Sequence, residues 1–226
     1  MEVGKSIFLK AFVITLIIFA SVYSLNVYLN SMREESLDER MAEILEDFEE
    51  MQALTTMMRV FGENASCIAL ETNIKLLDTK IWKMGEKIDS YRELTREYMN
   101  DPYYNIQKKK FNRQEVIYLS LLKEMKQQCD MNQTEILYFY RRSEFCPDCD
   151  KQSYVLNYFN QKIDPEIAVF SFDADLDLPS VNVLLGIYNV TEYPCVVVGD
   201  RAHCSLLDRE QMTEILCSTS NLSICD

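Results

Sequence analysis

The 226-residue sequence is poor in histidine, glycine, proline and positive charge. It contains one His, five Gly and five Pro. A single His leaves little room for a His-rich metal site or for a Cys–His catalytic pair. The formal net charge is −13, from 36 acidic and 23 basic residues. Because phosphate contacts need a basic surface, this composition argues against nucleic acid as a partner.

Cysteine, in contrast, is plentiful, with eight residues. Disulfides are common in exported proteins and rare in cytosolic ones, and an even number permits complete pairing. Four Asn-x-Ser/Thr sequons, at Asn64, Asn132, Asn189 and Asn221, also agree with an exported glycoprotein. We therefore expect an exported, disulfide-bonded chain, although the sequence alone does not give the connectivity.

Residues 11–29 form an apolar stretch whose only strongly polar member is Asn26. About 20 such residues in a helix cross a bilayer. Lys5 and Lys10 precede the stretch and mainly acidic residues follow it, so the positive-inside rule keeps the N-terminus cytoplasmic. We predict that residues 1–30 are a single-pass transmembrane anchor and that the rest is extracytoplasmic.

Two other readings of this stretch remain open. Small residues at Val22-Tyr23-Ser24 would suit a cleaved signal peptide, which would also export the remainder. A buried core helix is the third reading. The apolar run continues past the candidate cleavage site, and this favours the anchor.

Residues 31–131 contain two Gly and one Pro, and their pattern predicts helix almost throughout. Apolar residues recur every three or four positions in three successive segments, as expected for amphipathic helices. The Asp101-Pro102 turn predicts an antiparallel hairpin of the second and third segments. We predict that residues 31–131 are a helical stalk without catalytic residues. Its apolar stripes are either buried core or an interface for a homo-oligomer. The stripes consist of Leu37, Met41, Ile44, Leu45, Phe48, Met51 and Leu54, then Ile68, Leu70, Ile74, Leu77, Ile81, Met84, Ile88, Tyr91, Leu94 and Tyr98, then Phe111, Ile117, Leu121, Leu122 and Met125.

Two cysteines lie at the open end of this predicted hairpin. Cys67 is near the start of the second helix and Cys129 is near the end of the third. A disulfide between them would close the hairpin opposite its turn. The alternative is a pair of unrelated small core residues.

Residues 134–226 have a different pattern, which predicts an α/β domain with a central mixed sheet flanked by helices. Short β-rich runs alternate with helical stretches in the order βα, βα, β-turn-β, α. The predicted strands are 135–140, 167–172, 193–198 and 203–207, and the predicted helices follow Cys149, span 181–188 and run from Asp208 to Cys217.

Phe145-Cys146-Pro147-Asp148-Cys149 follows the first predicted strand, and Tyr188 to Pro194 leads into the third. Over residues 134–217 this arrangement resembles the thioredoxin family. The resemblance implies a thioredoxin-like fold and thiol–disulfide oxidoreductase activity. It also implies that Pro194 is a cis-proline facing the dithiol, with Tyr193 beside it binding substrate. Asp173 and Asp175 fall where the family has acidic residues, whereas Tyr140 stands near the place of its buried acid.

The residue types suit this chemistry. Cys146 at a helix N-terminus would be an exposed nucleophile, because backbone N–H groups and the helix dipole favour a thiolate. Pro147 would occupy the first helical position, and Cys149, one turn on, would be the resolving thiol. The negative charge of Asp148 disfavours a thiolate on Cys146, whereas the positive charges of nearby arginines favour that thiolate. Reductase, oxidase and isomerase activities therefore all remain open.

The last four cysteines suggest two local pairs. Cys195 and Cys204 flank Gly199-Asp200, and a two-residue turn would place them opposite each other. They could form a cross-strand disulfide, a second redox pair or two packed thiols. Cys217 and Cys225 bracket the C-terminal tail and would form a local disulfide.

The function predicted from these features is that of a membrane-anchored oxidoreductase without cofactor or metal. Its partners would be exported thiol or disulfide proteins or a membrane redox protein. One alternative is a redox-silent scaffold that binds through its helices. Another is a metal carrier that uses Cys146 and Cys149. A structural metal site would combine these two residues with Cys195 or His203.

Overall fold

A computed structural model describes residues 5–61, 66–94, 101–129 and 131–225. The chain divides into two compact units, Met1–Glu43 and Ile44–Asp226. The sequence pattern instead suggested boundaries after residues 30 and 131, where composition changes.

Helix α1, Lys5–Phe61, runs through the predicted boundary at residue 30 without a break. Its N-terminal part is long and apolar enough to cross a membrane, with a mean hydropathy of 2.1 over its most apolar window. None of that window is buried within the protein. This exposure argues against the reading of the stretch as a core helix.

Helices α2, Ser66–Leu94, and α3, Pro102–Cys129, form the predicted antiparallel hairpin. Tyr91 stacks on Tyr104 near the turn, with ring centroids 6.1 Å apart. Farther along, the hydroxyl of Tyr118 donates to the carbonyl of Ile74. With increasing distance from the turn, the contacts thus move backward along α2 and forward along α3, as in an antiparallel pair.

The apolar stripes are largely buried, as predicted. Ile68, Leu94 and Tyr98 lie outside the side chains that the structure describes. Leu45 is an exception on α1, because it is 41% exposed while its neighbour Ile44 is buried. One helical residue step is about 100°, so on a helix that buries a narrow face Leu45 points away from the side that buries Ile44. The buried members include Phe48, Met51, Leu70, Ile74, Leu77, Ile81, Met84, Ile88, Phe111, Leu122 and Met125.

The C-terminal region contains a four-stranded mixed sheet, which confirms the predicted α/β class. The strands are β1, Thr134–Tyr140, β2, Ile167–Asp173, β3, Cys195–Val198, and β4, Arg201–His203. Their order is β2-β1-β3-β4, with β1 parallel to β2 and antiparallel to β3. The flanking helices are α4, Cys149–Ile163, α5, Pro179–Ile187, and α6, Arg209–Thr219, and short 3-10 turns cover Ala174–Leu176 and Ser223–Cys225.

The β3–β4 hairpin has the predicted register, in which Val198 faces Arg201 and Val196 faces His203. Gly199 and Asp200 both have positive φ, as a tight two-residue hairpin turn requires. A strand at residues 203–207 is wrong, because β4 ends at His203. The N–H of Leu207 instead donates to the side chain of Gln152 on α4.

Apolar side chains cover both faces of the sheet. On one face, Leu156 and Phe159 of α4 and Met212 of α6 pack in a cluster with Ile136 and Val196. Aromatic residues cover the opposite face of the sheet. Its ring contacts join Phe170 to Tyr118 of α3 and Phe139 to Tyr188.

Helix α3 also covers the outer edge of β2. The N–H of Ser171 donates to Oε1 of Glu115 at 2.7 Å, and the N–H of Asp173 donates to Oδ1 of Asn112 at 2.9 Å. The amide of Asn112 donates to the carbonyl of Ser171. These bonds satisfy backbone groups that an edge strand otherwise leaves unpaired. The helical hairpin is thereby attached to the sheet by polar contacts as well as by packing.

Candidate functional site

A disulfide joins Cys146 and Cys149 immediately before and at the start of α4, with their Cα atoms 5.4 Å apart. The pair follows the carboxyl end of β1. The remaining described cysteines are also paired, as Cys67–Cys129, Cys195–Cys204 and Cys217–Cys225. These are the pairings considered from the sequence.

The prediction of an exposed Cys146 is wrong for this disulfide form. Cys146 is 2% exposed and Cys149 is 3% exposed. The N–H groups of Phe145 and Cys146 both donate to the carbonyl of Arg142, so the chain makes a tight turn here. The turn directs Phe145 outward, where it is 61% exposed, while Cys146 is buried.

The helix also begins later than predicted. Its first residue is Cys149 and its N-cap is Asp148, so Pro147 is not the first helical residue. The N–H of Cys149 donates to the carbonyl of Cys146 at 3.2 Å. Cys149, rather than Cys146, therefore lies within the first turn of α4, where the helix dipole stabilises negative charge.

Arg141 connects the disulfide turn with the segment before β3. Its guanidinium lies 4.9 Å from the ring centroid of Phe145 and 5.8 Å from that of Tyr193. Tyr193 is half-buried and Pro194 is buried, and the peptide bond between them is cis. Arg141 thus contacts both the disulfide turn and the Tyr193-Pro194 segment, which the sequence predicted as parts of one site.

Asp175 holds Arg141 in this position. Its carboxylate accepts from Nε of Arg141 at 2.7 Å and from the N–H of Arg142 at 2.8 Å. The N–H of Asp175 in turn donates to Oδ1 of Asp173. The acidic residues after β2 therefore fix the geometry of the turn that leads to Cys146.

The charge of Asp148, between the cysteines, is partly offset. Its carboxylate accepts from the ammonium of Lys151 at 2.7 Å in an exposed ion pair. Solvent screens such pairs strongly. Arg141 adds positive charge on the other side of the turn.

A partly open cavity of about 100 Å³ lies beside the disulfide, and Cys149 is part of its wall. Tyr138 of β1 also lines the cavity, and its hydroxyl donates to the carbonyl of Cys149 at 2.6 Å. Across the cavity stand Lys108 and Glu115 of α3. The hairpin and the sheet domain thus build this cavity together.

Both α3 residues are buried yet ionisable. Burial raises the pKa of Glu115 to about 8, although the hydrogen bond from Ser171 and the charge of Lys108 act in the opposite direction. Burial, the largest single influence, lowers the pKa of Lys108. The carboxylate of Asp89, 3.4 Å from its ammonium, acts in the opposite direction together with Tyr140, Tyr104 and Asp173, and their combined effect raises the pKa. The Lys108 ammonium also lies over the ring of Tyr140.

Lys108, Asn112 and Glu115 were not predicted as site residues, because polar residues on a helix are ordinarily solvated. Their spacing held a signal, since they follow each other by four and three positions. That period places them on one face with the apolar residue Phe111. A charged residue on the apolar face of a helix indicates a buried polar partner.

The remaining predicted features lie away from the disulfide turn. Among the described residues, no cluster of three or more His, Cys, Asp or Glu side chains could hold a metal ion. The sequon residues Asn132, Asn189 and Asn221 are exposed, and Asn64 lies outside the described residues.

Comparison with known proteins adds little to this geometry. No protein-family model matches the chain, and no curated protein matches it. A solved structure titled "Structure of a malarial protein" aligns with 39% of this chain and 98% of its own, at 15% identity and a TM-score of 0.33.

Proposed function

We propose that residues 134–226 form a thioredoxin-like domain that exchanges thiols and disulfides through Cys146 and Cys149. The observation that carries the proposal is a disulfide across the start of α4, directly after β1. A Cys-x-x-Cys pair at a helix N-terminus has a lowered thiol pKa, and this makes it reactive in exchange.

The surroundings of the disulfide support a site for protein clients. Exposed Phe145 and half-buried Tyr193 flank Arg141 beside the turn. Aromatic rings with a guanidinium between them offer apolar area and a hydrogen-bond donor to a client segment. The mixed sheet also agrees with the central mixed sheet that the thioredoxin resemblance implies.

The exchange proceeds in two steps. A client thiolate attacks the sulfur of Cys146, the Cys146–Cys149 bond breaks, and Cys149 leaves as a thiolate. A second client thiolate then attacks the client sulfur of the mixed disulfide and releases Cys146. The client loses two electrons and the protein gains them, and the reverse sequence reduces a client disulfide. Because Cys146 is 2% exposed, the turn from Arg142 to Cys146 must shift before a client reaches it.

The apolar part of α1 supports a membrane-anchored, extracytoplasmic location for the domain. Lysines precede this segment and acidic residues follow it, so the positive-inside rule places the C-terminal region outside the cytoplasm. An oxidising compartment also suits a protein with four disulfides. Clients would then be exported proteins or a membrane redox protein.

A second function, a redox-silent binding protein, is favoured by one observation. Both sulfur-bearing residues of the Cys-x-x-Cys pair are nearly inaccessible in the disulfide form. A disulfide that stays closed would serve only to hold the start of α4. The helical hairpin would then supply the binding surface.

Redox titration of the full chain in detergent separates the two functions. If the protein is an oxidoreductase, mild reductant opens Cys146–Cys149 first, and alkylation followed by mass spectrometry locates the new thiols there. A potential near about −270 mV indicates a reductase and one near about −120 mV an oxidant. A Cys149→Ser variant should accumulate mixed disulfides at Cys146.

The matched control is a Cys217→Ser, Cys225→Ser variant, which also lacks one disulfide but keeps the proposed site. It should retain the wild-type potential. If Cys146–Cys149 opens no earlier than the other disulfides, the binding function replaces the enzymatic one.

A further inference from the structure

The turn that shields Cys146 is fixed firmly at its base. The carboxylate of Asp175 accepts from the N–H of Arg142 at 2.8 Å and from Nε of Arg141 at 2.7 Å. The Asp175 side chain is largely buried, so solvent and salt screen these contacts less than they screen surface pairs. A movement that exposes Cys146 must therefore come from the residues that follow Arg142.

The start of α4, on the other side of the disulfide, is fixed as well. The hydroxyl of Tyr138 donates to the carbonyl of Cys149 at 2.6 Å in the protein interior. The N–H of Gln152 donates to the carbonyl of Asp148, and this begins the hydrogen bonds of the helix. The tip of the turn, residues 143–145, is left as the part that can move.

This tip is exposed at all three positions. In the part of the chain that the structure describes, one side-chain hydrogen bond joins it to another element. Oγ of Ser143 donates to Oδ2 of Asp150 on α4 at 3.1 Å. The ring of Phe145 contacts Arg141, which belongs to the same loop. Asp150 therefore connects the movable tip to the fixed helix.

The helical hairpin contacts the same carboxylate. Nη2 of Arg92, in the last turn of α2, lies 3.4 Å from Oδ1 of Asp150, the oxygen that Ser143 does not use. Both side chains are partly exposed, so the ion pair adds little to the stability of the fold. Its consequence is positional, because one carboxylate now joins the hairpin, the helix and the turn.

We propose that Asp150 is a positioning residue that latches the turn over Cys146, and that Arg92 holds this latch in place. The inference rests on the proposed function and deepens it. When the hydrogen bond from Ser143 breaks, the tip is free to lift, and the N–H groups of Phe145 and Cys146 leave the carbonyl that they share. A client can then reach the sulfur of Cys146, so the rate of exchange depends on how often the latch is open.

A latch made of one exposed hydrogen bond opens readily. Loss of such a bond should raise the population of open turns about 2- to 10-fold. If the turn opens and closes faster than the sulfur reacts, the rate of exchange rises by the same factor. The bonds from Asp175 to the base of the turn remain and limit the gain.

The first test measures how fast Cys146–Cys149 is reduced in the full chain in detergent. A small dithiol becomes a cyclic disulfide as it passes two electrons to the pair, and alkylation with mass spectrometry follows the new thiols. Ser143→Ala should speed the reduction about 2- to 10-fold, because it frees the tip without changing any charge. The matched control is Ser153→Ala, at an exposed serine of α4, which should keep the wild-type rate.

A double-mutant cycle tests whether Ser143 acts through Asp150. Asp150→Ala removes the acceptor but also a charge near the sulfurs, so its own rate does not decide. In that background Ser143→Ala should have no further effect. An equal effect of Ser143→Ala in both backgrounds overturns the latch. Arg92→Gln should also speed reduction and should add nothing to Asp150→Ala, whereas a wild-type rate for Arg92→Gln overturns the part given to the hairpin.

Hydrogen exchange of the backbone gives a readout that sulfur chemistry does not move. The N–H groups of Phe145 and Cys146 both donate to the carbonyl of Arg142, so their exchange reports the opening of the turn. Ser143→Ala should speed exchange in a peptide that contains them, while peptides from β1 keep the wild-type rate. Faster reduction without faster exchange overturns the proposal, because the turn would not have opened.

The outcomes separate this inference from the proposed function. If Cys146–Cys149 opens no earlier than the other disulfides, the oxidoreductase is wrong, and hydrogen exchange still decides whether Asp150 holds the turn. If the pair is redox-active and Ser143→Ala matches the wild type in both measurements, the latch is wrong and the oxidoreductase stands.

Asp150→Asn takes the place of Asp150→Ala if the latter does not fold. The Asn side chain can still accept from Ser143 but cannot form an ion pair with Arg92. Ser143→Ala should therefore speed reduction in this background, and Arg92→Gln should not. The opposite pattern contradicts the proposed arrangement of the latch.

Discussion

The side-chain carbonyl of Asn112 accepts the backbone N–H of Asp173 at 2.9 Å, while its amide donates to the carbonyl of Ser171. One side chain thus makes both bonds that a neighbouring peptide unit would make to the edge of β2. Asn112 is fully buried, so water cannot replace it there. Asn112 and Glu115 therefore supply the hydrogen bonds that join α3 to the edge of β2.

Replacing Asn112 with Ala should destabilise the protein by about 1–3 kcal/mol, because it leaves the N–H of Asp173 buried without an acceptor. Urea unfolding of the full chain in detergent, followed by the fluorescence of Trp82, measures the change. Arg113→Ala, an exposed neighbour on the same helix, should stay within about 0.5 kcal/mol of the wild type. Equal effects of the two substitutions would show that the bonds to β2 contribute nothing.

The disulfide between Cys67 and Cys129 spans 62 residues, and the one between Cys217 and Cys225 spans 8. In the chain-entropy model, removing the first by a double Ser substitution should cost about 4 kcal/mol and removing the second about 2.5 kcal/mol. Thermal unfolding without reductant tests this order. A larger loss from the tail disulfide would contradict the prediction that closure of the hairpin stabilises the protein through its long loop.

Stability should fall as pH rises from about 4 to 7, because of Asp78 on α2. Burial, with a contribution from Asp164, raises the pKa of Asp78 to about 7 in the folded protein, against an ordinary value of 3.8. The folded state thus binds the proton more tightly than the unfolded state does. The stabilisation is complete below pH 3.8 and is lost as pH rises through 7.

The test is to measure the free energy of unfolding across this pH range in the wild-type and substituted proteins. Asp78→Asn should reduce the pH dependence, by about 2–4 kcal/mol over the whole window. Glu115 contributes in the same direction between its ordinary value of 4.5 and about 8, so some slope should remain. Glu144→Gln, at an exposed position, is the control and should keep the wild-type slope. An unchanged slope in Asp78→Asn would exclude Asp78 as the cause.

Arg141→Met should slow alkylation of reduced Cys146 by less than about tenfold at neutral pH. Met keeps the apolar contact with Phe145 but removes the cation beside the turn, so the thiolate loses a favourable charge. Part of the effect is screened, since Arg141 is 40% exposed. A Cys149→Ser background isolates the Cys146 thiol. Lys151→Met is the comparison, because it removes the cationic partner of Asp148. It should also slow alkylation.

A faster reaction in Arg141→Met would show that the guanidinium shields the sulfur more than it stabilises its charge. High-salt measurements distinguish these effects, because screening weakens a charge effect and leaves steric shielding unchanged.

Local patterns predicted the fold well wherever one element determines the outcome. The Gly199-Asp200 turn fixed the register from Val196 to Val198 because two-residue turns leave no freedom in pairing. The β1 and β2 strands were found within one residue of their observed ends, since their apolar runs are bounded by polar turns.

The candidate site was harder to predict, because its details depend on contacts between distant segments. Burial of Cys146 follows from the turn made by Arg142, and the start of α4 at Cys149 follows from that same turn. Glu115 comes from a helix that precedes the sheet in the chain. Single-sequence patterns describe faces of helices and strands, but they do not say which polar group meets another across a cavity.

Because side chains of α3 occupy the outer edge of β2, no extended segment of another molecule can hydrogen-bond to that side of the sheet. Only the three-residue strand β4 is left at the opposite border. Crowded copies of the chain are thereby protected against strand-to-strand aggregation as soon as α3 has docked.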